Sequence, residues 1–92
     1  MLVNGGWSNQ LDIIARLDEH GDDRMSKEAK KVAPSVTYRW AVARTSDTIY
    51  WFRDGELVLS FPDAAPIDGR YFGFNNWASN AFYDDLAIYA LD

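Results

Sequence analysis

Two runs of alternating apolar residues, Thr48–Arg53 (TIYWFR) and Glu56–Phe61 (ELVLSF), flank Asp54-Gly55. Asp-Gly between such runs is a strong hairpin signal, because a type I′ turn requires positive φ at both central positions. The two runs are therefore predicted to pair antiparallel. Val36–Arg44 (VTYRWAVAR) reads as the cleanest strand. Val36, Tyr38, Trp40 and Val42 alternate with Thr37, Arg39, Ala41 and Ala43, which puts the large apolar residues on one face. Leu11–Leu17 (LDIIARL) is a further strand, since seven residues is short for a helix and Ile13-Ile14 favour extension. Tyr71–Phe74 and Ala81–Tyr89 (AFYDDLAIY) complete the set.

Polar clusters punctuate these runs. Asn4-Gly5-Gly6 and Thr45-Ser46-Asp47 read as turns, and Pro62–Gly69 as a loop with two prolines. Asp18–Arg24 reads as a loop or strand end. Ser26–Lys31 (SKEAKK) is either one helical turn capped by Ser26 or a solvated connection. Six or seven short strands with no strand–helix–strand unit predict an all-β, antiparallel sandwich. The expected core is aromatic: Trp40, Trp51, Phe74 and Phe82, with Trp77 partly exposed.

The order of motifs adds a family likeness. YRWAVAR is followed by IYWFRDGELVLSF, a Pro-containing loop ending at Gly69, YFGFNNW and FYDDLAIYAL. From Val36 to Leu91 this series resembles the C-terminal half of a concanavalin A-like lectin/glucanase jelly roll. It is most similar to the laminin-G-like domains of bacterial polysaccharide-degrading systems, including the 3-keto-disaccharide hydrolase group. Leu11–Gly21 fits more loosely. The resemblance implies a jelly-roll sandwich and an oligo- or polysaccharide partner. A complete jelly roll is about double this length, so the likeness also implies a partial sandwich. Either the chain is a fragment lacking an N-terminal half, or self-association as a homo-oligomer completes it, because open edges and apolar faces drive pairing.

Composition narrows the partners. A net charge of −5 over 92 residues argues against nucleic acid, whose phosphates are met by Lys and Arg. The same charge is also what keeps an ordinary domain soluble. With no cysteine, disulfides and thiolate metal sites are excluded. No apolar run approaches the ~20 residues of a membrane-spanning helix, so no membrane partner is expected. The related domains are usually secreted or periplasmic, yet the N-terminus lacks the basic and apolar regions of a signal peptide.

Asp18-Glu19-His20 holds the only histidine beside two carboxylates, suited to general acid–base work. On a strand Asp18 and His20 would share a face. The plainer alternative is a solvated loop with Arg16 or Arg24 as ion-pair partners. Glycosidases of the concanavalin A-like class usually carry E-x-D-x-x-E or E-x-D-x-E on a strand, and neither occurs here. Paired carboxylates also appear at Asp84-Asp85, where the resemblance implies a loop-holding role. Calcium is a weak option at Asp22-Asp23 or Asp84-Asp85, because no loop has calcium spacing; no other cofactor or metal is implied. Exposed Trp rings stack on pyranose C–H faces, and Asn bonds hydroxyls as donor and acceptor. Asn75, Asn76 and Trp77 have that chemistry, as does Trp7 beside Asn4 and Asn9. Three functions follow: a carbohydrate-binding module, a hydrolase or lyase using Asp18, Glu19 and His20, or a structural assembly domain.

Overall fold

The computed structural model describes residues 1–16, 18–67, 72–76 and 80–90. Its strands are β1 (Leu2–Gly5), β2 (Leu11–Ile14), β3 (Met25–Glu28), β4 (Trp40–Arg44), β5 (Thr48–Arg53) and β6 (Glu56–Pro62). They form two three-stranded antiparallel sheets, β1-β2-β3 and β4-β5-β6. The described chain is therefore nearly all-β, and none of its helices is long and apolar enough to cross a membrane.

The β5–β6 hairpin turns at Asp54-Gly55, with φ of 52° and 83°, as the sequence requires. Asp54 also ties the turn to the residue before β4. Its N–H donates to the Arg39 carbonyl at 2.8 Å, and its Oδ1 accepts the Arg39 N–H at 2.9 Å. Pairing slips by one residue between Trp51 and Phe52, so that Val58 is the extra residue of a bulge. The bulge lets Val58 and its neighbour Leu59 both reach the core.

That core joins the sheets. Ile14 from β2 packs with Trp51, Val58 and Phe61, and Leu2, Ile49 and Leu59 pack around them. Trp51 is fully buried. Polar clamps sit beside this apolar cluster. Arg53 of β5 donates to the Lys30 carbonyl at 2.5 Å and to Asn4 Oδ1 at 3.3 Å. Arg16, just after β2, bonds Asp63 Oδ1 at 2.6 Å, while Arg44 of β4 reaches Asp63 Oδ2 at 3.3 Å. Asp12 is a fully buried carboxylate. It accepts from the Asn4 amide at 2.7 Å, Gly5 N–H at 3.0 Å and Lys30 N–H at 2.8 Å. A buried carboxyl group is tolerable only with hydrogen-bond partners such as these.

Several expectations are corrected. The strand expected from Val36 begins only at Trp40, after a break at Ser35 with φ of 61°. Trp40 does not fill the core: it is 42% exposed and leans on Trp51 at 4.9 Å between ring centroids. The reason is tertiary. β4 is an edge strand, and the first sheet lies over β6, at the opposite edge. Ser26–Glu28 is neither helix nor connection but part of β3, because its backbone pairs with β2 while its side chains face solvent. Phe72–Phe74 and Ala81–Tyr89 belong to no strand, and Phe82, expected in the core, is 98% exposed. Phe74 is likewise exposed. Leu17, Tyr71 and Trp77 lie outside the described residues.

Trp51 Nε1 is buried without a hydrogen-bond partner among the described residues. Trp51→Ala is therefore expected to cost ~3–5 kcal/mol in urea unfolding. Trp51→Phe removes the unpaired N–H with much of the ring retained, and should cost clearly less. Equal losses would show that the indole N–H is bonded. A second expectation concerns Glu56, which pairs with Lys30 across the sheets. The Lys30 hydrogen bond and charge hold the Glu56 carboxyl below the ordinary glutamate value. A depressed folded-state value means that any stability the pair adds is present at neutral pH and lost as acid protonates Glu56. NMR titration should place Glu56 below the ordinary range and return it there in Lys30→Met.

Candidate functional site

The β1–β2 connection is unusual. Trp7, Ser8 and Asn9 have φ of 51°, 58° and 67°, one turn of left-handed helix closed by Gln10 N–H to the Gly6 carbonyl at 2.9 Å. Left-handed backbone costs a non-glycine residue roughly 1–2 kcal/mol, so the surrounding bonds must hold it. Asn9 does much of this. Its amide donates to the Val32 carbonyl at 2.9 Å and its Oδ1 accepts Val32 N–H at 2.8 Å, as a paired strand would. Gly5 enters the turn at φ 73°, and a Cβ there would lie 2.7 Å from Asn9 Oδ1.

The turn presents Trp7, 41% exposed, toward the β2–β3 loop. That loop is braced by its own residues. Asp18 Oδ1 accepts His20 N–H at 2.9 Å, and the Asp18 carbonyl accepts Gly21 N–H at 2.8 Å. Arg24 Nη1 donates to the Glu19 carbonyl at 3.0 Å. As a result the His20 ring stands 5.3 Å from the Trp7 ring at 81°, and the Arg24 guanidinium lies 5.2 Å from its centroid. Both geometries suit the quadrupole of an indole. Trp7, His20, Gly21, Asp22, Arg24 and Ser26 line a shallow polar depression of about 470 Å³. A depression of similar volume near Pro62 contains Arg16 and Asp63, but these charges already pair with each other.

The structure thus unites two candidates that the sequence separates, Trp7 and His20. Glu19 stays beside His20, with Oε1 3.7 Å from Nε2. Asp18 does not face the imidazole from a shared strand face; the segment is a turn, and its carboxylate caps the His20 backbone. Asn4 and Asn9 are taken up by Asp12, Lys30 and Val32. Of the two ion-pair partners offered by the plainer loop reading, Arg24 sits against Trp7 and Arg16 pairs with Asp63. Asp22 and Ser26 join the site through the loop and β3, which no local motif announces.

Asn75 and Asn76 lie elsewhere. Asn76 Oδ1 accepts a bond from the Tyr83 hydroxyl, and Tyr83 stacks on Phe74 at 4.1 Å. Neither asparagine lines the Trp7 depression, and Trp77 is outside the described residues. Among the described residues no three His, Asp or Glu side chains converge as a cation site would need, at Asp22-Asp23, at Asp84-Asp85 or elsewhere. Comparison with family models, with curated proteins and with solved structures found no match.

The left-handed turn depends on Asn9. Asn9→Ala should cost roughly 1–3 kcal/mol, since it leaves Val32 N–H without its acceptor and replaces a residue tolerant of positive φ. Amide exchange at Val32 should accelerate in parallel. Unchanged exchange would mean that the turn is held by other contacts.

Proposed function

We propose that the chain is a carbohydrate-binding β-domain, part of a concanavalin A-like jelly-roll sandwich, that recognises an oligo- or polysaccharide at the Trp7 depression. The observation that carries this reading is the half-exposed Trp7 ring ringed by His20, Asp22, Arg24 and Ser26. A pyranose offers an apolar C–H face and a rim of hydroxyls. Trp7 matches the first by stacking. Asp22 accepts from hydroxyls, Arg24 donates to them, and His20 and Ser26 do either. The rigid turn limits the ordering entropy lost on binding. The order of motifs from Val36 to Leu91 supports the same reading.

One contact favours a second reading. Glu19 lies against His20 at the rim of the depression, a carboxylate–imidazole pair fit for proton transfer in a hydrolase or lyase. Product formation separates the two.

Isothermal titration with soluble laminarin, xylan and mixed-linkage β-glucan tests the site. At least one should bind, and Trp7→Ala should weaken it roughly tenfold or more. Alanine and tryptophan carry a similar penalty at φ 51°, so the stability lost should be limited to the His20 and Arg24 contacts, and the sheets should stay folded. Binding that survives Trp7→Ala, or no binding to any of the three, would overturn the proposal. New reducing ends or unsaturated sugars, lost in His20→Ala, would establish the catalytic reading.

A further inference from the structure

We infer that the segment 81–90 is a donor strand that adds to the open edge of β4 in a second copy of this chain, forming a two-fold dimer. Three independent features meet in this assignment.

The first is the segment itself. Extended, the segment would carry Phe82, Asp84, Leu86 and Ile88 on one face and Ala81, Tyr83, Asp85, Ala87 and Tyr89 on the other, yet among the described residues it pairs with no sheet. Phe82, Tyr83, Leu86, Ile88 and Tyr89 are all exposed. Tyr83 holds it to its own stretch 72–76, through Phe74 and Asn76.

The second is the acceptor. Thr45 N–H donates to the Thr48 carbonyl and Asp54 N–H to the Arg39 carbonyl, so Arg39 and Thr45 turn their peptide groups toward β5. By antiparallel alternation Trp40, Val42 and Arg44 turn theirs outward, to an edge that is unpaired among the described residues. Val42 lies opposite Trp51 and shares its face, so Trp40 and Val42 continue the core face beyond the cover of the first sheet. Both side chains are exposed.

The third is the match between them. Placing Leu86 opposite Val42 in an antiparallel register puts Ile88 opposite Trp40 and Asp84 opposite Arg44. Apolar meets apolar at two outward-bonding positions, and at the third Asp84 comes to Arg44 beside the Asp63 that Arg44 already contacts. Shifting one way puts Asp85 opposite Val42 and Tyr83 opposite Arg44; shifting the other way keeps an acid, Asp85, at Arg44 but sets only Ala87 against Val42. Asp85 now has φ of 55°, and joining the strand would return it to extended backbone. Because each copy carries one donor and one acceptor, two such contacts close an isologous dimer. This dimer does not depend on the sugar site.

Light scattering after size exclusion at micromolar concentration tests the inference. The protein should show twice its 10.5 kDa mass. Leu86→Lys and Val42→Lys should each run at the single mass. Both positions are exposed in the unpaired chain, so circular dichroism should show the sheets retained. Val42 and Leu86 amides should be protected from exchange in the dimer and unprotected in the variants. A monomeric wild type, including one whose segment pairs with its own β4, would overturn the inference. So would a dimer that persists in Leu86→Lys.

Discussion

The packing of Ile14 against Trp51, Val58 and Phe61 is the contact on which the molecule depends. Three-stranded sheets this short gain stability by burying a face against another layer. Here one side chain from β2 meets three from β5 and β6. The bulge after Trp51 widens the contribution of β6, since it turns Val58 and Leu59 toward the same cluster. Arginine clamps flank the apolar contact, Arg53 reaching Lys30 and Asn4, and Arg16 and Arg44 sharing Asp63. Their geometry fixes how the sheets meet more than how tightly, because taking charges out of water offsets much of the attraction between them.

That overlap has unequal consequences for the two edges of the second sheet. β6 lies under the first sheet, whereas β4 extends past it with Trp40 and Val42 uncovered. On the other layer, the β1–β2 turn and the β2–β3 loop converge at Trp7 and His20. The structure therefore carries two chemically different surfaces. One is a polar depression around an aromatic ring, fit for a hydroxyl-rich ligand. The other is an apolar strand edge, fit for backbone pairing.

What could be read from the sequence follows the range of the forces involved. The Asp54-Gly55 hairpin was legible because its signal is local. So was β2, where Ile13 and Ile14 argue for extension. The choice between Trp40 and Trp51 as the core ring was not legible, since both sit in alternating runs and only the overlap of the sheets decides. Ser26–Glu28 has helical composition, and pairing with β2 overrides it. For the candidate site, Trp7 and His20 stood out singly as an aromatic beside polar residues and as the only histidine. Their meeting depends on a left-handed turn at Trp7, Ser8 and Asn9, which residue types other than glycine do not advertise. Ala81–Tyr89 was expected as a strand, but no strand forms there, because strand composition does not supply an edge to pair with.

The most direct measurement of the sheet-on-sheet contact is a set of side-chain nuclear Overhauser effects. The account predicts strong cross-peaks from the Ile14 methyl groups to the Trp51 indole, the Val58 methyls or the Phe61 ring. It also predicts that the Trp40 indole, at its uncovered edge, shows none to Ile14. Cross-peaks from Ile14 to Trp40, with Trp51 in contact with solvent, would contradict it, because the sheets would then overlap at β4 and neither surface would stand where it is described.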